Sequence, residues 1–273
     1  MLLALTAEHD SFLAQISRAA SEYSCLVLDL FSALEESKVL KSDQQIYNAQ
    51  ACIQKMLSEE RTFAAFNIMA APVQHSHFPI MEHFSTIQGE GFYSGTPAYF
   101  IRIGGCNVGC HWCDVKESWP DQGHDSMPIE ELVQLVEKSG LSVVVITGGE
   151  PMMYNLDGLT AALQNAGKSI HLETSGAYPL SGSWSWITFS PKKFKTPKAE
   201  FYNKAQELKV VIFNQSDFAF AEQHAAEVHE GCKLYLQPEW SKRDAMMPLI
   251  VEYIKKHPKW RVSLQTHKYM HIP

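Results

Sequence analysis

The chain has 273 residues, 45% hydrophobic and 19% charged, with a formal net charge of -7, enough for one large domain and an appendage. The acidic balance excludes bulk binding to nucleic acid or to a membrane surface, which needs a basic field, and points to a small-molecule partner. Six cysteines, three clustered and three scattered (Cys25, Cys52, Cys232), do not make a secreted disulfide framework, so the expected setting is reducing cytoplasm.

From Asp10 to Glu36 the residues Phe12, Leu13, Ile16, Ala20, Tyr23, Val27, Leu30, Phe31 and Leu34 recur at three- and four-residue steps, one stripe of a helix, with Asp10 as N-cap. The apolar run Cys25 to Phe31 is short and broken by Asp29, so neither a signal peptide nor a membrane span is read. A weaker pattern follows with Ile46, Ile53, Met56 and Leu57. Together these predict a helical hairpin, an extension over 1–75 whose bland role is packing or dimerisation. A Pro- and His-containing linker, Ala71 to Pro79, leads to a core over 76–273.

The core opens on Thr86-Ile-Gln-Gly-Glu-Gly91, a Gly-flanked polar turn that by itself is a hairpin bend. Its glycines let backbone approach a ligand, and Gln88 and Glu90 can hydrogen-bond a flat heterocycle. A strand-like run, Pro97 to Gly105, then meets Cys106-Asn-Val-Gly-Cys110-His-Trp-Cys113. Three thiols at this spacing can hold three corners of an iron-sulfur cube and leave one iron open. Two other readings stay open: a zinc site completed by His111 or His124, and three buried core thiols.

Downstream, strand runs at 143–147, 169–173, 186–189, 208–212, 233–236 and 261–264 alternate with amphipathic stretches at 129–138, 156–165, 217–229 and 244–256. This alternation predicts βαβ units, a parallel sheet and an open, partial (β/α) barrel, with ligands at the carboxyl ends of the strands. Those ends carry Thr147-Gly-Gly-Glu-Pro151, Glu173-Thr-Ser-Gly176, Ser190-Pro-Lys-Lys193, Gln237-Pro-Glu-Trp240 and Gln265-Thr-His-Lys268. Taken alone, Gly-Gly-Glu-Pro is an ordinary strand-to-helix turn; beside the cysteine loop it reads as part of one site.

The pairing of Cys106-x-x-x-Cys110-x-Trp112-Cys113 with Gly148-Gly-Glu-Pro151 resembles the radical S-adenosylmethionine (SAM) superfamily. The Gln-Gly-Glu-Gly turn, Ser190-Pro-Lys192 and the ending Ser263 to Pro273 narrow the resemblance to the 7-carboxy-7-deazaguanine synthase family, from about Phe78 onward. The resemblance implies a 4Fe-4S cluster on Cys106, Cys110 and Cys113, with SAM on its open iron cleaved to a 5′-deoxyadenosyl radical. It implies SAM contacts from Trp112, Asp114, Gly149, Ser190, Pro191, Lys192, Gln237, Pro238, Glu239 and Trp240. It implies the substrate 6-carboxy-5,6,7,8-tetrahydropterin, held by Ile87, Gln88, Gly89, Glu90, Arg102, Thr147, His267 and Pro273, with Arg102 offering a fork to the carboxylate. A flavodoxin-like electron donor and a homodimer come with the family. Its magnesium meets a departure: Val115 stands where many members have a threonine, and valine has no oxygen for a hard cation. A glycyl-radical activase shares the cluster motif but not the Gln-Gly-Glu-Gly or Gln-Thr-His-Lys segments, and a non-catalytic zinc-stabilised binder is the reading from another class.

Overall fold

The computed structural model describes residues 75–273; the helical hairpin read between Asp10 and Leu57, and most of the linker after it, lie outside the described residues. Strand β1 (His77–Ile87) turns back through residues 88–96 into β2 (Pro97–Ile103), an antiparallel pair. After the cysteine loop, β3 (Asp125–Pro128) pairs with the start of β1. Then come α1 (Ile129–Ser139), β4 (Val143–Gly148), α2 (Asp157–Asn165), β5 (Ser169–Thr174), β6 (Trp186–Phe189) and α3 (Glu200–Lys204). The rest is β7 (Glu207–Ile212), α4 (Ser216–Ala225), β8 (Lys233–Pro238), α5 (Arg243–Lys256), β9 (Trp260–Val262) and α6 (Thr266–Met270).

The nine strands of the described residues join one sheet in the order β3-β1-β2-β4-β5-β6-β7-β8-β9. Every neighbouring pair from β2 onward is parallel, and the two edge strands do not meet, so the architecture is the open, partial (β/α) barrel expected. The β-branched run in β4 explains its place: Val144, Val145 and Ile146 are fully buried, as a parallel strand covered on both faces requires. Helix α1 turns Leu132 and Val136 onto the sheet, and Gly140 stops it in a left-handed conformation at φ 71°, open to glycine at little cost. Among the described residues no helix is long and apolar enough to cross a membrane.

Three elements differ from the periodicity. The linker reading to Pro79 fails at its end, because β1 starts at His77 and Phe78 is fully buried against the core; β3, too short and polar to show a pattern, gives this segment its backbone partners. The helix expected over 217–229 stops at Ala225, where the Glu227 amide returns to His224 in a tighter turn and the His229 ring bonds the Ala205 carbonyl at 2.9 Å. The last strand stops at Val262, since the Ser263 hydroxyl turns inward to donate to Gln237 at 2.7 Å.

The closed end of the barrel is an aromatic floor. Strand alternation puts His171 and Glu207 on the same faces as Glu173 and Lys209, two residues nearer the strand starts. The 88–96 turn seals them in: Phe92 stacks on Trp186 at 4.9 Å between ring centres, and Tyr93 lies 4.4 Å from His171. The Phe92 amide donates to Glu207 Oε2 at 3.1 Å, with Trp186 Nε1 at 3.3 Å, while Glu207 Oε1 has no hydrogen-bond partner. Burial holds His171 down at about 4 and pushes Glu207 up to about 7, the latter against the pull of Lys209.

These two groups oppose each other. A histidine with a depressed pKa contributes stability that is present above its unfolded value of 6.5 and lost as pH falls toward 4. A carboxyl with a raised pKa contributes stability that is present below 4.5 and lost as pH rises through 7. Each is worth about 3 kcal/mol at roughly 1.4 kcal/mol per unit. Urea unfolding from pH 7 to pH 4 should show E207Q losing about 3 kcal/mol on acidification relative to wild type, and H171L gaining about as much. Parallel pH profiles for the two variants would refute the pairing.

Candidate active site

The cysteine loop and the Gly-Gly-Glu-Pro turn are joined backbone to backbone. The Gly149 amide donates to the Ile103 carbonyl and the Glu150 amide to the Gly105 carbonyl, both at 2.9 Å. A Cβ on Gly148 would lie 2.2 Å from the Ile103 oxygen, and one on Gly149 2.2 Å from the Gly105 oxygen. Only a pair without side chains lets β4 end this close to the residues that launch Cys106. Glu150, 1% exposed, then ties the turn to the end of β5. Its carboxylate accepts from the Met152 amide at 3.1 Å, the Thr174 hydroxyl at 2.6 Å, the Ser175 amide at 2.9 Å and the Ser175 hydroxyl.

Cys106, Cys110 and Cys113 face one cavity of about 480 Å³. Burial pushes the Cys110 thiol up to about 11, with the neighbouring thiols adding to it and Lys192 opposing, and burial raises Cys106 as well. Lys192 is anchored by the Ser190 carbonyl at 2.7 Å and hydroxyl at 2.6 Å, 5.9 Å above the Trp112 ring, and burial lowers its pKa.

The opposite wall comes from the 88–90 turn and the 265–273 segment. Thr266 donates its amide (2.9 Å) and its hydroxyl (3.0 Å) to the Gly89 carbonyl. A Cβ on Gly89 would sit 2.2 Å from His267 Nδ1, so the imidazole rests directly on that glycine. The Thr86 hydroxyl donates to the Pro273 oxygen at 2.9 Å. Beneath them the Lys209 ammonium lies 2.6 Å from Glu90 and 2.8 Å from Glu173. Burial disfavours that ammonium's charge, but Glu173, Glu90 and Glu207 outweigh it and raise its pKa. Arg102 pairs with Glu82 at 3.0 Å, lies 5.6 Å from the centre of the Phe84 ring and lines the cavity.

The structure thus gathers the residues singled out in the sequence. Ile87, Gln88, Gly89, Glu90, Arg102, Thr147, Gly149, Ser190, Lys192, the Gln237 to Trp240 turn, His267 and Pro273 line the same cavity as the thiols, Trp112 and Asp114. Pro191 does not; it is buried behind the lining. Periodicity missed Glu173 and Lys209 as site residues, although an acid and a lysine inside apolar strand runs are a signal, since buried charges are kept only when paired. Gln265 and Lys268, at the rim by sequence, meet Glu90 at 2.9 Å and Asp114 at 2.6 Å.

The donor set fits a cluster with an open corner: three thiols on one wall, backbone amides and a half-buried lysine beside them. It does not suit the zinc reading. His111 packs edge-on against Phe194 and Phe213 and His124 against Gly104, neither lining the cavity, and among the described residues no three His, Cys, Asp or Glu side chains are gathered to hold a single metal ion. Nor does it suit magnesium. Val115 lines the cavity without an oxygen to offer, and the Asp114 carboxylate is already met by the Lys268 ammonium at 2.6 Å.

The family model described as Radical SAM superfamily matches residues 100–185. The chain is 55% identical over 195 residues to the 7-carboxy-7-deazaguanine synthase of Flavobacterium psychrophilum, spanning 71% of this chain and 92% of that one. It is 51% identical over 195 residues to the enzyme of the same name from Synechocystis sp., spanning 71% and 93%. Among solved structures it is similar to QueE from Escherichia coli, with a TM-score of 0.62 and 32% identity, covering 70% of this chain and 94% of that one.

The joint between the two motifs can be tested by crowding it. Gly149→Ala drives a methyl into the rigid Gly105 carbonyl and should cost about 1–3 kcal/mol in chemical unfolding, as overpacking does. Gly109→Ala, in the cysteine loop at φ 80° with open space around it, should cost only about 1–2 kcal/mol for its left-handed backbone and leave β4 undisturbed. Equal tolerance of alanine at Gly149 and at an exposed helical site would refute the close-approach account.

Proposed function

The chain belongs to the 7-carboxy-7-deazaguanine synthase family of the radical SAM superfamily, and we propose that it converts 6-carboxy-5,6,7,8-tetrahydropterin to 7-carboxy-7-deazaguanine with release of ammonia, a step of queuosine and 7-deazapurine biosynthesis. The observation that carries this reading is the union of the two walls: three cysteine thiols and the glutamine, acid and arginine of the recognition wall open onto one cavity. Cys106, Cys110 and Cys113 would hold a 4Fe-4S cluster whose open iron takes SAM, and that pair supplies the radical hydrogen abstraction.

The chain's own residues must bind, orient and exclude water. Gly149, Trp112, Asp114, Ser190, Lys192 and the Gln237 to Trp240 turn form the SAM side, with Pro191 behind them. On the pterin side Arg102 presents its fork to the carboxylate, and Glu90 with the Ile87 to Gly89 backbone accepts the amino edge of the pyrimidone. Thr147, His267 and Pro273 close around the ring. Lys268 serves where the family's magnesium would: a fixed ammonium at Asp114, so that the reaction runs without the metal. A flavodoxin-like donor and a homodimer follow from the family alone, as does the separation of an extension over 1–75 from a core over 76–273. Free thiols at Cys106, Cys110, Cys113 and Cys232 suit a reducing compartment such as the cytoplasm.

Incubating reconstituted protein with the carboxytetrahydropterin, SAM and a reductant should yield the deazaguanine by mass, and Cys110→Ala should abolish it. Product from the cysteine variant at the wild-type rate would overturn the reading. Separately, turnover in EDTA should match turnover with added magnesium to within about twofold, whereas a rate that collapses in EDTA and returns with magnesium would show that the ion is needed.

A further inference from the structure

Glu173 lines the cavity at the end of β5, next to Gln88 and Lys209, and none of the roles above uses it. Lys209, 4% exposed, is the one cation set between Glu90 and Glu173, so the trio holds two acids against one ammonium. An uncompensated charge away from water is costly, so the acid that is less well held has the stronger pull on a proton and is the one able to take a proton up and return it. The hydrogen bonds decide which. Glu90 receives Gln265 at 2.9 Å on one oxygen and Lys209 at 2.6 Å on the other. Glu173 has Lys209 at 2.8 Å and only a long 3.4 Å contact from Gln88. Glu90 is therefore the acid that stays ionised throughout, and Glu173 the one that can take up a proton and give it back. The pKa directions agree: Lys209, Gln265 and His267 overcome burial to hold Glu90 at about 2, whereas burial and the charge of Glu90 raise Glu173 despite Lys209.

The reaction proposed above, on which this inference rests, has a step that needs such a group. Expelling ammonia while a ring becomes aromatic breaks a C–N bond and a C–H bond on the neighbouring carbon. We propose that Glu173 is the proton-transfer residue of that step: its carboxylate takes the proton from the ring carbon and passes it to the nitrogen as it leaves. The C–H electron pair becomes the new ring double bond, and the C–N pair departs on nitrogen. The carbon's proton completes ammonia, so no electron is gained or lost and Glu173 ends ionised as it began. Lys209 is then a positioning residue that aims this carboxylate and fixes Glu90 for recognition. The charged groups facing Glu173 are Lys209, Glu90 and Lys192, with Glu207 of β7 acting on it from the floor.

Glu173→Gln keeps the shape of the side chain and removes the exchangeable proton. With the reconstituted enzyme, carboxytetrahydropterin, SAM and a reductant, kcat for ammonia and deazaguanine should fall by about 100-fold or more, the usual worth of general acid–base catalysis. KM for the pterin should stay within about threefold, because recognition rests on Glu90 and Arg102. The acid limb of the wild-type kcat profile, measured over roughly pH 5 to 9, should be absent from the residual rate. Glu173→Asp, which retains a carboxylate one methylene back, should recover at least about tenfold over the glutamine variant and still show an acid limb; it also judges the proposal should the glutamine variant not fold. A glutamine variant within about tenfold of wild type, or an aspartate variant no better than glutamine, overturns the assignment while leaving the reaction in place. A wild-type enzyme that releases no ammonia from the pterin removes the reaction and this role together.

Discussion

A single ammonium organises the interior of this barrel. Lys209 sits in the middle of β7 with Glu90 and Glu173 within 2.8 Å and Glu207 two residues away along its own strand. Removing it would strand at least two carboxylates away from water, which is far more expensive than the net worth of the ion pairs themselves. Because Glu90 belongs to the β1–β2 turn and Glu173 to β5, the same ammonium fixes a loop from outside the parallel strands to the strands that form the site. The position of the recognition turn is thus an electrostatic matter, and the floor of aromatic rings beneath it excludes the water that would weaken the attraction.

The other end of the cavity obeys a different constraint. There the requirement is steric: two glycines at the end of β4 lie against the carbonyls of residues 103 and 105, closer than any side chain allows. The cysteine loop starts from those carbonyls, so the placement of the thiols is set by backbone contact rather than by side-chain packing. Glu150 completes the joint through four accepted hydrogen bonds, which is why an acid follows the glycines. The two sequence signals that point to the radical SAM superfamily are one physical joint.

Much of this was legible in the sequence because its grammar is local. Parallel strands announce themselves through β-branched runs such as Val143 to Ile146, and ligand residues cluster at strand ends for topological reasons. The three cysteines and the Gly-Gly-Glu-Pro turn are short and specific, and all but Pro191 of the singled-out residues line the cavity. What periodicity missed depends on distant partners. Strand β1 is read as a linker at its start because its burial comes from β2 and β3, and Lys209 looks like a defect in a strand until Glu90, 119 residues away, is brought beside it. The end of the helix at Ala225 was hidden for a similar reason, since the Ala205 carbonyl that holds His229 is supplied from another element.

The seam between the 88–91 turn and the 266–273 segment has a consequence for biogenesis. During synthesis the turn leaves the ribosome early, whereas Thr266, His267 and their neighbours emerge only after every barrel strand. The sheet can therefore gather its core while its reactive mouth is still half built. The imidazole settles onto Gly89 as a late act of assembly, so a nascent chain offers no finished pocket to its ligands until the scaffold that must contain a radical is already in place.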